Sequence, residues 1–221
     1  MSHVHIVVEG QTEEAFVRTV LVPHFAAAGI YITQTIVRTK RIVGAPDVVG
    51  GVVGYGKLKF DIQRALNNPH IDLVTTMIDL YALPLSFPGR KNCPSTAAGS
   101  EKATQIETAM NADIGTERFR AYISVHEFEA FVFVAPEIAR QAFPELPCQS
   151  QMEIVKNSFA TPEDINDSPV TAPSKRLEAI CRGQYQKVVH GPLIAETVGL
   201  ARLREECPHF SEWIQLIDGT A

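Results

Sequence analysis

Apolar residues first gather at Val4, Ile6, Val7 and Val8, a short β-branched run of the kind that forms a strand buried on both faces. Gly10 then permits a tight turn. Thr12 reads as the N-cap of a helix, with Glu13 and Glu14 in a first turn where the helix dipole favours negative charge. Phe16, Val17, Val20, Leu21 and Phe25 recur at the spacing of one helix face, and the stripe stops near Gly29. Residues 30–38 alternate apolar and polar as a second strand, and a glycine-rich passage from Gly44 to Gly56 shows no period. Residues 58–66 are helical by pattern and end at Asn67-Asn68-Pro69. A third strand over 71–78 leads into a surface loop, 80–94, that carries Pro84, Pro88, Gly89 and Pro94. A polar helix around 100–112 and a fourth strand over 119–125 follow.

Beyond residue 125 the pattern turns helical: 127–142 in two pieces broken at Pro136, then 150–159, 173–182 and 192–217, with a proline-bearing linker or wrapping loop over 160–173. The β-α-β-α-β-α-β alternation predicts an α/β fold, a parallel sheet of about four strands flanked by helices, with a C-terminal helical elaboration. The expected division is 1–134 for the α/β domain and 135–221 for a helical elaboration packed on it.

Composition narrows the function classes. The 221 residues carry a formal net charge of −5, so no global field draws the chain to DNA, RNA or an anionic membrane. Contact with nucleic acid then requires a local basic patch or a metal-bridged phosphate. The four cysteines, Cys93, Cys148, Cys181 and Cys207, are widely spaced without a C-x-x-C pair, which reads as reduced thiols in a cytoplasmic protein rather than a zinc site. Neither a signal peptide nor a membrane span is expected, and no membrane partner.

The candidate chemistry lies at the strand ends. Glu9 follows the first strand, Asp79 the third, and His126-Glu127-Phe128-Glu129 the fourth. If the strands are parallel, these residues share one rim, where open α/β sheets place their ligands. Glu13 lies one helical turn beyond Glu9 and can face the same place. Carboxylates gathered there repel unless a cation or protons neutralise them, which points to a hard divalent ion, Mg²⁺ or Mn²⁺. Blander roles compete. Glu13 and Glu14 serve equally as helix-dipole acids, and Asp79 suits a strand terminator bonded to the following loop. Glu9, a strand-end glutamate before glycine, has no common structural role. His126 reads as a satisfied rim histidine rather than a ligand. Glu127 and Glu129 fall on opposite faces if the strand continues, so one at most joins the site.

These residues carry a resemblance. Glu9-Gly10 after the first strand and an aspartate after the third resemble the Toprim domain of topoisomerases, primases and overcoming-lysogenization-defect (OLD) nucleases. More closely, E-G-Q-T-E-E (9–14), I-D-L-Y-A-L-P (78–84), F-P-G (87–89), H-E-F-E-A (126–130), A-P-S-K-R-L (172–177) and C-P-H-F-S-E-W (207–213) resemble the bacterial domain-of-unknown-function family 4276. The resemblance implies a Toprim/Rossmann-like fold, magnesium held by Glu9 and Asp79, and phosphoryl transfer, similar to the nuclease half of ATPase–Toprim pairs in phage defence. The second acid of the Toprim D-x-D pair is absent, since position 81 is Tyr81; Glu13, at the E-x-x-x-E spacing of OLD-type nucleases, or Glu127 or Glu129 is expected to compensate.

Phosphoryl chemistry also calls for positive charge. Candidates are Lys57, Lys59, Arg90, Lys91, Lys175, Arg176 and Lys187; Lys175 is favoured because Ser174 beside it can cap a helix, and Lys187 comes second. No G-x-x-x-x-G-K-[ST] loop is present, so ATP dependence implies a separately encoded ATPase. The expected function is metal-dependent phosphodiester hydrolysis on DNA or RNA. The alternatives are a non-catalytic sensor or partner subunit of an ATPase, and a phosphohydrolase acting on a small nucleotide.

Overall fold

The computed structural model describes residues 1–37, 54–125, 127–144, 146–165 and 170–221. Most of the glycine-rich passage, Arg38 at the end of the expected second strand, and His126 therefore lie outside the described residues. Four strands were expected and five short ones form: β1 (Ser2–Val8), β2 (Ile30–Ile36), β3 (Leu73–Asp79), β4 (Phe119–Arg120) and β5 (Ile123–Ser124). All pairings are parallel, in the order β2-β1-β3-β4, with β5 also on β3. The first and third strands are thus neighbours, with Val8 opposite Met77.

Both faces of the sheet are buried, as the near-continuous apolar strands require. Along β1, Val4, Ile6 and Val8 enter one core and Val7 the other; along β3, Leu73 and Met77 enter the first and Val74 and Ile78 the second. The second core is closed by α3 (Tyr55–Leu66) and α4 (Gly99–Ile114). The first is closed by the helix after β1 and by the C-terminal helices α5 (Pro136–Ala142), α6 (Cys148–Lys156), α7 (Pro173–Ile180), α8 (Lys187–Val198), α9 (Leu200–Glu206) and α10 (Pro208–Asp218). One continuous apolar cluster therefore runs from Val4 to Ile217. Among the described residues no helix is long and apolar enough to cross a membrane.

The helix after β1 runs as α1 (Gln11–Phe16), a π turn (Val17–Leu21) and α2 (Val22–Ala27). Pro23 sits in the first turn of α2. It brings no N–H, and its ring crowds the carbonyl four residues back, which accounts for the widened turn. The expected stripe survives this shift, since Phe16, Val17, Val20, Leu21 and Phe25 are all buried.

The fourth strand is broken because Ala121 and Tyr122 leave the ladder. Side chains replace the lost bonds. The Thr76 hydroxyl accepts the Tyr122 N–H at 2.9 Å and donates to the Tyr122 carbonyl at 2.8 Å. Asn111 Oδ1 on α4 accepts the Ala121 N–H at 2.8 Å, and Glu107 Oε1 accepts the Ile123 N–H at 2.7 Å. The α4 side chains thereby satisfy this edge of the sheet. The break lets the Tyr122 ring stack on Trp213, centroids 4.3 Å apart and 7° from parallel, while Trp213 Nε1 donates to Thr75 Oγ1 at 2.9 Å. Trp213 is a packing residue of the last helix.

Glu163 provides a second long-range tie. Its carboxylate, 5% exposed, accepts the N–H groups of His209 and Phe210, both at 2.9 Å, and so caps α10 from another segment. Glu163→Ala strands two buried amides, an expected loss of roughly 2–4 kcal/mol in urea unfolding, with Glu163→Gln losing less because it keeps an acceptor. Equal stability of Glu163→Ala and wild type would contradict this.

Candidate functional site

The carboxylates converge where β1, β3 and β5 end. The Glu9 N–H extends the β1–β3 ladder to the Met77 carbonyl at 3.1 Å, and the Asp79 N–H donates to Glu9 Oε2 at 3.0 Å. Asp79 Oδ1 in turn accepts the Phe128 N–H at 3.1 Å, which ties the third strand end to the segment after the fourth. The Asp79 carboxylate therefore bonds the segment after the fourth strand rather than the loop after its own, and it does so inside an acid cluster.

Glu13 is 6% exposed. Thr12 is not the N-cap: that position is Gly10, in extended conformation and without a side-chain cap, while Thr12 is buried. The shift by two residues turns Glu13 inward against the strand end. A Cβ on Gly10 would lie 3.2 Å from Glu13 Oε2, so the glycine leaves room for the carboxylate.

Glu127 and Glu129 do not part to opposite faces. The strand stops at Ser124, and Phe128–Val134 form a 3-10 helix, so both glutamates reach Lys187 at the start of α8. Lys187 Nζ lies 3.6 Å from Glu127 Oε1 and 3.2 Å from Glu129 Oε2. Glu127 is otherwise occupied: Ser174 donates its N–H to Oε2 at 2.9 Å and its hydroxyl to Oε1 at 3.0 Å. Ser174 is therefore the anchor of Glu127 rather than the cap of α7, whose N-cap is Ala172. Glu129 differs. It is 1% exposed, and its Oε1 has no hydrogen-bond partner.

Lys175, the favoured cation, points away and pairs with Glu178 at 2.9 Å on the exposed side of α7. Lys187 is the cation that reaches the acids. Arg176 stacks over the Phe159 ring at 5.5 Å and donates to the Thr171 carbonyl at 2.6 Å. Lys59 pairs with Asp113 at 2.8 Å, on a different part of the surface. Phe128, Phe131 and Phe133 are buried core and offer no stacking surface.

The electrostatics follow from crowding. Burial raises the Glu13 carboxyl to about 7, with Glu9 and Glu129 adding to the rise and the Glu13 and Gly10 backbone amides opposing it. Asp79 is pushed well above its ordinary value, first by burial and then by Glu13, Glu9, Glu129 and Glu127. Burial also raises Glu9, against the Asp79 amide and Lys187, and raises Glu129 against Lys187. For Lys187, burial would lower the ammonium, but Glu129, Glu127 and Asp79 prevail and raise it. Among the described residues, five acids thus face one ammonium, an arrangement short of positive charge.

The donor set is all oxygen, which suits a hard cation. Glu129 Oε1, buried and without a partner, is an unclaimed ligand atom in the cluster. Among the described residues no three His, Cys, Asp or Glu side chains stand close enough to hold an ion as placed, so an ion would have to draw them inward. An open groove of about 810 Å³ lies elsewhere, between α4 and α10, lined in part by Thr104, Thr108, His209 and Glu212. Its size does not make it the site: the perturbed acids are at the strand ends.

Glu127 and Glu129 meeting the same lysine was not legible in the strand pattern, because it depends on where the strand stops.

Two solved structures of the C-terminal region of the Xanthomonas campestris pv. campestris OLD protein are similar to this chain. The one phased with iodine has 17% identity, covers 98% of this chain and 97% of that one, and gives a TM-score of 0.34. The one phased with platinum has 18% identity, covers 97% and 95%, and gives 0.35. At those scores the likeness does not speak to function. None of the curated proteins matches. The model of a family described as "Domain of unknown function (DUF4276)" matches residues 8–218, nearly the whole length, and the chain belongs to that family.

Proposed function

We propose that the strand-end cluster binds Mg²⁺ or Mn²⁺ and that the protein hydrolyses phosphodiester bonds of nucleic acid. One observation carries this reading: among the described residues, five carboxylates gather against a single ammonium, a charge imbalance that a divalent cation would correct. Glu9 and Asp79 would hold the ion, each keeping one oxygen clear of the hydrogen bonds described above, and Glu13 would complete the set. Glu127 is spoken for by Ser174 and Lys187, so Glu129 takes the ligand place the sequence assigned to Glu127. A bound cation would polarise the phosphate and lower the pKa of coordinated water.

The remaining roles belong to the chain. Lys187, rather than Lys175, is placed to stabilise charge developing on the non-bridging oxygens. Lys175 on the exposed side of α7 would offer a local contact for backbone phosphates. Buried Phe16, Phe128 and Phe131, in mutual ring contact, wall the inner side of the cluster from water.

A second reading is favoured by Tyr81, which stands where the Toprim pattern has its second acid: a non-catalytic subunit of a separately encoded ATPase. Titration of Mg²⁺ and of Mn²⁺ by calorimetry separates the two. Saturable binding by wild type, lost in Glu9→Ala, is the expected result. A wild type that binds neither ion, with or without a single-stranded oligonucleotide present, overturns the hydrolytic reading and leaves the partner subunit.

A further inference from the structure

Away from the acid rim, α3 and α4 both close the second core and so cover one side of the sheet. Tyr55 Oη and Lys59 Nζ bond Asp113 Oδ2 at 2.5 and 2.8 Å, which fixes α3 against the C-terminal end of α4. The outer surface of this layer carries two features of opposite character. One is a knob on α3, where Lys57, Phe60 and Arg64 fall at i, i+3 and i+7 on one exposed face. Phe60 is 65% exposed, and among the described residues neither Lys57 nor Arg64 is in an ion pair. A single exposed aromatic ring is ordinary. One flanked by two uncommitted cations is shaped for an acidic groove.

The other feature is the groove of about 810 Å³ between α4 and α10. Its floor is the outward face of α4, where Thr108 turns its hydroxyl back to the Thr104 carbonyl at 2.8 Å and leaves its methyl group as surface. Ala109 continues the floor, and Gly89 closes one wall so tightly that a Cβ there would lie 3.0 Å from the Ala109 Cβ. His209 forms the opposite wall, held by Glu107 at 2.9 Å and stacked on Tyr122. Glu101 and Glu212 stand exposed along the lining, and neither is in an ion pair among the described residues. No lysine or arginine among the described residues lines the groove, so it repels phosphates. It offers helix faces and a turn rather than a strand edge, so it suits an occupant whose backbone is already satisfied, a helix. We infer that α3 of a second copy fills this groove, with Phe60 against Thr108 and Ala109 and with Lys57 and Arg64 facing Glu101 and Glu212. Knob and groove lie on the same side of the sheet, so two copies related by a two-fold axis exchange both, and the contact closes on itself. The exposed Val189 and Leu193 of α8 fit less well, because Glu196 beside them would set acid against acid. The pairing does not depend on the reaction proposed above.

Sedimentation velocity over a range of protein concentrations is the test, with circular dichroism beside it. Wild type is expected to form a dimer that dissociates on dilution. Phe60→Ser, which removes the knob, and Thr108→Arg, which blocks the floor, are each expected to weaken the dimer ~10–100-fold with the fold intact. Mixing these two variants is the sharper measurement. In the mixed pair, Phe60 of one chain meets the open groove of the other, so one of the two contacts is whole. A heterodimer is then expected at concentrations where neither variant pairs with itself, a result that a folding defect would not give. A wild type that stays monomeric at every concentration, a dimer indifferent to both substitutions, or a mixture that fails to pair overturns the inference. Growth beyond the dimer also overturns it, since that marks an open head-to-tail contact.

Discussion

Glu9→Gln and Asp79→Asn are each expected to reduce Mg²⁺-dependent cleavage by roughly 10³-fold, about 4 kcal/mol in the barrier, with folding retained. The size follows from what each side chain does at once. On the proposed function each would supply a charged oxygen to the ion, and each holds neighbouring backbone: the Asp79 N–H rests on Glu9 Oε2, and Asp79 Oδ1 holds the Phe128 N–H beside Glu127 and Glu129. The amide replacements keep an acceptor for those backbone donors while removing the charge, so they separate chemistry from structure. Glu9→Ala is a blunter instrument. It leaves the Asp79 N–H unpaired, an expected cost of about 1–3 kcal/mol, partly offset by the removal of one repelling charge. The check is a cleavage assay beside circular dichroism and thermal unfolding. Native-like unfolding with cleavage at the wild-type rate in both amide variants would remove the acid cluster from the reaction.

What the sequence made legible was the placement of acids relative to strands. A buried, β-branched strand followed by Glu9-Gly10, and another followed by Asp79, became adjacent parallel strands because both read as buried on two faces, and parallel neighbours bring their ends to one rim. What it hid was decided by tertiary contacts. The choice of Gly10 over Thr12 as N-cap depends on the close approach of Glu13, not on capping preference. The break between β4 and β5 is held by Thr76, Asn111 and Glu107 in place of ladder bonds, and the stop of β5 at Ser124 is what lets Glu127 and Glu129 reach the same lysine. Lys175 looked well placed beside a capping serine, but Ser174 turns to Glu127 and leaves Lys175 to Glu178. Lys187 stood second to Lys175 among the candidate cations. Its importance comes from α8 packing beside the 3-10 helix, which no local pattern announces.

The protein without divalent cation loses stability as pH rises from about 4.5 to about 7, and Glu13→Gln removes much of that loss. The sign comes from the raised Glu13 carboxyl, about 7 in the fold against an ordinary 4.5. A folded value above the unfolded one means that the native state holds the extra proton within this window. The stabilising contribution is whole below about 4.5, declines through the window and is gone above about 7. For one group the shift corresponds to about 3 kcal/mol. Asp79, Glu9 and Glu129 are displaced in the same direction by overlapping causes, so they reinforce the trend without adding as independent sites. Urea unfolding of wild type and Glu13→Gln across pH 4.5 to 8 reads the difference directly. The variant's advantage should be small at the acid end and approach ~3 kcal/mol at the alkaline end. Saturating Mg²⁺ at pH 8 should return stability to the wild type by mass action, because the ion supplies the neutralisation that protons supply in acid. Protons and cation then compete for the same carboxylates, so Mg²⁺ affinity should weaken as pH falls through 7. A stability difference that is flat across the pH range would mean that Glu13 titrates near its ordinary value, and that the carboxylates relax apart when no cation is bound.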